Sequence, residues 1–479
     1  MLPCIIRESR FSLPCGFSRL CLLIISSNKK LKTNIEIRLS IIKNILTMNL
    51  KITCLILLIN TYLFAQSKKE NQIISAIDSR TSAAIALLKK VVNINSGTMN
   101  FEGVRKVGTI FTDELKAIGF ETRWAAGDSF NRAGHLIAVH EGKKGPKILL
   151  IGHLDTVFER DSPFQSNTML NDSIMQGPGA SDMKGGDVVI ILAMQALHDS
   201  GLLNDFIIEI VMSGDEESSG EPLALSKKDL IAAGERADIA LGYEDGDGLA
   251  TTAVVSRRGS SDWTLTVKGN AAHSSQLFTE RVGAGAIYNA SRILNEFYIS
   301  LSKEENLTVN PGIILGGNKQ SYDTATYTGV AFGKNNIVSQ DVLVKGDLRS
   351  VSIVQLEKAR KIMTDIVASN YPGTTANINF GDDGYPPMTL KEGNKKLLSY
   401  YNQVSLDLGF GPEVAVNPRN AGAADISFVN ESVQMAIDGI GLPGADGHTI
   451  NETANINYLS VEAKRSAVLI YRLTNGIIK

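Results

Sequence analysis

Three consecutive acids, Asp215-Glu216-Glu217, follow the apolar run Phe206–Met212 by two residues. Like charges crowded at a strand end repel one another, and a merely solvated loop has no need of them. Neighbouring side chains point different ways. One Glu can therefore bind a metal ion while the other faces a water beside it, the arrangement that metal-assisted hydrolysis requires. An exposed acidic turn is the plainer alternative for this stretch taken alone.

Three further stretches add donors. His153 closes the run Ile148–Gly152, and Asp155 stands two positions on, so both side chains share one face of a strand end. A His that binds metal through one nitrogen needs its other N–H held, and a nearby carboxylate is the usual partner. A capped strand end fits the same pattern. Asp182 lies in the glycine-rich segment Gly177–Gly186, just ahead of a helix expected over Gly185–Ser200. There it is either a helix cap or a carboxylate whose two oxygens bridge two ions. A strand over Ala237–Tyr243 runs into Glu244, and the run Val433–Ile437 leads to Gly441–His448. The candidates thus follow separate strand ends or open a helix, and in open α/β sheets that carboxyl edge is where ligands bind. Oxygen and nitrogen donors without Cys suit zinc, cobalt or manganese in a two-metal hydrolytic centre better than a structural zinc.

The elements that must position these residues read as an α/β fold. Helical spacing covers residues 75–120, and the apolar runs His135–Val139, Lys147–Ile151, Phe206–Met212, Ile239–Gly242 and Val433–Ile437 alternate with helices. Continuous apolar strands of this kind predict a sheet buried on both faces. Residues 254–385 break the rhythm. A strand at Ser261–Val267, a helix at Val282–Leu301, strands at Thr308–Leu315 and Leu343–Arg349, a helix at Ser352–Asn370 and a strand at Ala376–Phe380 give the order β-α-β-β-α-β, the ferredoxin-like split unit. The expectation is one α/β domain in two parts, 66–253 and 386–479, interrupted by a smaller domain at 254–385.

Composition narrows the function further. The chain has 479 residues, 43% hydrophobic and 20% charged, with a formal net charge of −2. That is globular, with no basic patch to hold nucleic acid. Nine Lys and Arg and two Asp and Glu precede residue 66, leaving 39 basic and 48 acidic residues after it, and all four Cys lie before residue 55. From Met48 the sequence reads as a basic start, a short apolar run Ile52–Phe64 and a small residue at Ala65, the grammar of a secretory signal peptide over 48–65. On that reading residues 1–47 are an upstream extension, and the mature chain is secreted or periplasmic and free of cysteine, which excludes thiolate catalysis.

As a set, Gly152–Val157, Gly177–Gly186, Asp215-Glu216-Glu217, Tyr243-Glu244 and Gly441–His448 resemble the co-catalytic zinc metallopeptidase family of glutamate carboxypeptidase, acetylornithine deacetylase, succinyl-diaminopimelate desuccinylase and the aminoacylases, nearest its glutamate carboxypeptidase branch. The resemblance spans roughly residues 75–479. It implies two zinc ions, with Asp182 bridging them, His153 and Glu244 completing one position and Glu217 and His448 the other. Glu216 would be the general base and Asp155 would orient His153. The inserted domain would be a lid through which two chains form a homodimer. Its His273 would polarise the scissile carbonyl, and Asn336 and Arg349, thirteen residues apart, would hold the substrate carboxylate. Arg257 and Arg258 have no implied role and read either as readers of an acidic substrate or as hinge charges. His135, His140 and His198 match no motif and read as structural. The implied activity is cleavage of the amide next to a C-terminal amino acid of a small peptide or N-acyl amino acid. An N-acyl amino acid deacylase or desuccinylase is the neighbouring alternative, and a non-catalytic binding protein on the same fold is the alternative from another class.

Overall fold

A computed structural model describes residues 67–477, except 325, 382 and 383, together with the isolated positions 38, 40, 41 and 43. The expected signal segment 48–65 and nearly all of the extension 1–47 lie outside the described residues.

In chain order the described part begins with helices α1 (Lys68–Val92) and α2 (Phe101–Lys116), then strands β1 (Glu121–Ala126), β2 (Gly134–His140), β3 (Lys144–His153), β4 (Thr168–Met169) and β5 (Ile174–Gln176). Helix α3 (Lys184–Asp199), strand β6 (Phe206–Ser213), helices α4 (Leu223–Ser226) and α5 (Lys228–Arg236), and strands β7 (Ile239–Gly242) and β8 (Thr252–Ala253) follow. The inserted region holds β9 (Gly259–Gly269), α6 (Ala286–Leu301), β10 (Thr308–Gly317), β11 (Lys319–Asp323), β12 (Thr328–Phe332), β13 (Asp341–Ser350), α7 (Ile353–Ala368) and β14 (Thr374–Phe380). The chain returns through α8 (Glu392–Asp407), β15 (Val414–Ala415), β16 (Met435–Ile437), β17 (Gly444–Ala445), β18 (Thr453–Asn455) and α9 (Tyr458–Thr474).

The main sheet has the order β1-β2-β6-β3-β7-β16. Its pairings do not share one sense: β1–β2 and β2–β6 are antiparallel, whereas β3 pairs parallel with both β6 and β7, and β16 parallel with β7. It is therefore a mixed sheet. Successive side chains of β3 alternate between two cores: Ile148 and Leu150 join the cluster under α1, α3 and α9, while Leu149 and Ile151 join the cluster with Leu230, Ile426 and Val429. That two-sided burial is why the strand reads as an unbroken apolar run. Full burial of one such Leu contributes about 1.5–3 kcal/mol.

The inserted sheet has the order β10-β13-β9-β14, antiparallel throughout, with α6 and α7 closing a separate core around Trp263, Leu265, Ile293 and Val344. This is the expected split unit, with one addition. The hairpin β11–β12 sits between β10 and β13, and its largely exposed positions gave no alternation to read. Helix α6 starts at Ala286, not at Val282, because Gly283 (φ 72°) and Gly285 (φ 75°) hold the chain in the left-handed region just before it. Strand β16 is likewise shorter than the run Val433–Ile437.

Candidate metal centre

The strand order β6-β3-β7 decides the site. Three parallel neighbours deliver their carboxyl ends side by side: His153 ends β3, Asp215-Glu216-Glu217 follows β6 and Glu244 follows β7. Helix α3 comes in from below, its Gly186 pressed so close to the Tyr243 carbonyl that a Cβ would lie 1.9 Å from the oxygen. Only glycine allows that approach, and it brings Asp182, at the head of α3, between the strand ends.

Two clusters of donors result, His153–Asp182–Glu244 and Asp182–Glu217–His448, with Asp182 common to both. His153 Nε2 lies 3.1 Å from Asp182 Oδ1 and 3.5 Å from Glu244 Oε1. His448 Nε2 lies 3.0 Å from Asp182 Oδ2 and 3.2 Å from Glu217 Oε2. His153 is buried, whereas His448 sits on an open loop with φ 62°, a left-handed conformation that non-glycine residues adopt where the surroundings enforce it.

The electrostatics are those of a site with too little positive charge. The hydrogen bonds to Asp182 and Glu217 push the His448 imidazole up to about 11. Burial and the neighbouring Asp182 push Glu217 up to about 7 and Glu244 well above the usual carboxylate range. Burial also works against ionisation of Asp182, but the hydrogen bonds of His153 and His448 hold it well below its ordinary value. Glu217 Oε1 is buried without a hydrogen-bond partner among the described residues. Imidazole and carboxylate donors, an orphaned carboxylate oxygen and excess negative charge fit divalent cations at both clusters.

Asp155 does more than the sequence suggested. Nδ1 of His153 donates to the Asp155 backbone carbonyl at 3.1 Å, with the Asp155 carboxylate at 3.5 Å. That carboxylate accepts the N–H groups of Glu216 (3.1 Å) and Glu217 (3.2 Å) and the Thr98 hydroxyl (2.6 Å). Asp215 turns away into a buried ion pair with Lys227 at 3.1 Å, and although burial opposes ionisation, Lys227 holds its carboxyl below the ordinary range. Lys227 also reaches Asp425 at 3.0 Å, and the Tyr385 hydroxyl donates to the Glu216 carbonyl at 2.8 Å. Glu216 itself is half-buried beside the two clusters, its carboxyl raised well above the usual range by burial and, though His153 opposes this, by Asp425, Glu217 and Asp182. Thr98, Lys227, Tyr385 and Asp425 had no motif to reveal them.

The remaining candidates divide. His273 is exposed, its Nδ1 at 2.8 Å from the Ser275 hydroxyl, and it bridges to Ile337, beside Asn336. Arg349 lies at the other end of β13, paired with Asp347 at 2.8 Å. A ten-residue strand spans roughly 30 Å, so one chain does not bring Asn336 and Arg349 onto one carboxylate. Arg349 instead lies within the field of Arg258, which burial, Arg419 and Arg349 together hold below its ordinary value. Arg257 is neither a substrate reader nor a surface charge: it is buried on Asp438 at 2.7 Å, and Asp438 accepts the Glu244 N–H at 3.4 Å. His135 and His140 are buried and bonded to backbone, and His198 contacts Asp199 on the surface.

Comparison with known proteins agrees with this geometry. The chain is 24% identical over 388 residues to carboxypeptidase G2 of Pseudomonas sp. (strain RS-16), covering 80% of this chain and 87% of the relative. It is 27% identical over 205 residues to a succinyl-diaminopimelate desuccinylase of Gluconacetobacter diazotrophicus, spanning about half of that protein (52%) and 41% of this chain. Its fold matches that of the YXEP protein of Bacillus subtilis, described as a dinuclear metal-binding peptidase, with a TM-score of 0.57 at 15% identity over 83% of this chain and 99% of the other. The model of peptidase family M20/M25/M40 matches residues 149–472, a span that holds all five candidate metal ligands, and the chain accordingly belongs to that family of hydrolytic enzymes.

Proposed function

We propose that the chain is a two-zinc carboxypeptidase that cleaves the amide next to a free carboxylate and releases the C-terminal amino acid of a small peptide or N-acyl amino acid. The observation that carries this reading is Asp182, whose two oxygens face two different histidines at 3.1 and 3.0 Å, each in a cluster completed by a second carboxylate. His153, Asp182 and Glu244 would hold one ion and Asp182, Glu217 and His448 the other. When bound, such ions polarise the scissile carbonyl and lower the pKa of the attacking water.

The chain's own groups do the rest. Glu216 takes a proton from the attacking water and hands it to the leaving amine, a task suited to a carboxyl whose pKa is raised. Asp155 holds the Glu216-Glu217 turn and the His153 ring. Arg349, with Arg258 close to it, offers a guanidinium group that matches a substrate carboxylate bidentately. His273 and Asn336, at the far end of β13, serve the site across a homodimer interface formed by the lid, where His273 supports the developing oxyanion. Exposed apolar side chains on α6, β10 and β12 (Ile287, Ile314, Val330, Phe332) support that interface. The segment 48–65 supports export to the periplasm or the medium.

The test is release of free amino acid by the zinc-loaded chain from residue 66 onward, on a panel of dipeptides and N-acyl amino acids, with and without a chelator. Chelator-sensitive release of C-terminal residues from dipeptides is the expected result. Release from N-acyl substrates alone favours the deacylase reading, which the desuccinylase likeness supports. No release, with two zinc ions bound, overturns both.

A further inference from the structure

Glu452 lies four residues beyond His448 and is almost fully buried, 1% exposed. Its side chain collects the backbone of the segment that carries Asp182. Oε2 accepts the Gly179 N–H at 3.1 Å, and Oε1 accepts those of Ser181 at 3.0 Å and Asp182 at 3.3 Å. Its own carbonyl accepts the Gly177 N–H at 3.1 Å. Residue 178 is proline, and the Ala180 N–H goes back to Gly177 at 3.1 Å. Every N–H from residue 177 to 182 is thereby accounted for, all but one by Glu452.

This segment belongs to no helix or strand, so without the clamp two buried N–H groups and the half-buried one of Asp182 would lose their acceptor. The clamp also joins the two clusters mechanically, because His448 and Glu452 stand on one short stretch ending at β18, which pairs with β5 just ahead of Gly177. We propose that Glu452 is a positioning residue that fixes the direction of the Asp182 carboxylate and ties it to the His448 loop, so that both metal positions depend on a residue that touches neither. The proposal rests on the two-metal reading above.

The experiment is calorimetric titration of metal-free full-length chain with zinc, comparing the unaltered protein with E452Q and H448A. Gln keeps the size but loses the charge and turns an N–H₂ donor toward N–H donors. The unaltered chain binds two ions. In E452Q both association constants fall by about tenfold or more, the range for lost outer partners of metal ligands, and the visible spectrum of the cobalt-loaded chain changes. In H448A one site is lost and the other is kept. In E452Q kcat falls while KM holds, because the substrate-binding arginines are untouched. Two zinc ions bound by E452Q with unaltered affinity overturn the proposal and leave the two-metal reading standing; fewer than two ions in the unaltered protein overturn that reading instead. If E452Q does not fold, E452D replaces it: the charge is kept but withdrawn by one methylene, and the same two outcomes decide.

Discussion

The Asp155 carboxylate accepts the backbone N–H of Glu216 at 3.1 Å. With its bonds to Glu217 and Thr98, this makes one buried acid the support of both the proposed base and a proposed ligand. In D155A two half-buried N–H groups and the buried Thr98 hydroxyl lose their acceptor, the buried group at a cost of about 1–3 kcal/mol. Urea unfolding should show a loss of that order, and kcat should fall with it. Unchanged stability and turnover in D155A would mean that the turn holds itself.

In the proposed mechanism the acid–base step falls to Glu216. E216Q keeps the volume and every ligand, so zinc stoichiometry should remain as in the unaltered chain while kcat falls by about 10²–10⁴, the usual worth of a general base. Metal analysis and turnover on the same sample separate the two effects. Turnover at the unaltered rate would remove Glu216 from the mechanism.

Arg349 should act on binding of the substrate carboxylate. A charge-assisted hydrogen bond is worth about 1.5–3 kcal/mol, so R349A should lower kcat/KM by about ten- to a hundredfold, chiefly through KM. Lys should rescue only partly, because a point charge does not reproduce the bidentate fork. Steady-state kinetics of R349A and R349K check this, and equal KM values in all three proteins would contradict it.

Away from the site, Glu413 and Glu462 share Arg465, each at 2.7 Å, in a buried cluster that also holds Tyr401. Burial pushes Glu413 up to about 8 and Glu462 up to about 7, against the pull of Arg465. Raised carboxyl values mean that the folded state binds more protons than the unfolded one between the ordinary carboxylate range and these values. Stability therefore falls as pH rises from about 4.5 toward about 8. In E413Q one of the two titrations is gone, and melting temperature should depend less on pH across that window. An identical pH profile in E413Q would show that the cluster does not titrate there.

The parallel strands and the acids at their ends were legible because each strand is buried on both faces and runs straight into its motif, as Ile148–Gly152 runs into His153. Other features left no local trace. The sheet of β4, β5, β17 and β18 uses strands of two or three residues, too short for any period. The Glu452 clamp joins positions 270 residues apart, and Lys227 looks like an ordinary helix-start lysine until the fold buries it between Asp215 and Asp425. The thirteen-residue spacing of Asn336 and Arg349 left a different gap. Most of β13 lies between the two residues and separates them within one chain, which the spacing alone does not reveal.

The central claim is that two metal ions gathered on Asp182 drive release of a C-terminal amino acid. The most direct test follows free amino acid from C-terminal dipeptides, glutamate-ending ones first, as zinc is removed with a chelator and returned to the same sample. The account predicts release that vanishes on chelation and returns in step with the second ion bound. Release that persists in chelator, or that never occurs with two zinc ions bound, would contradict it.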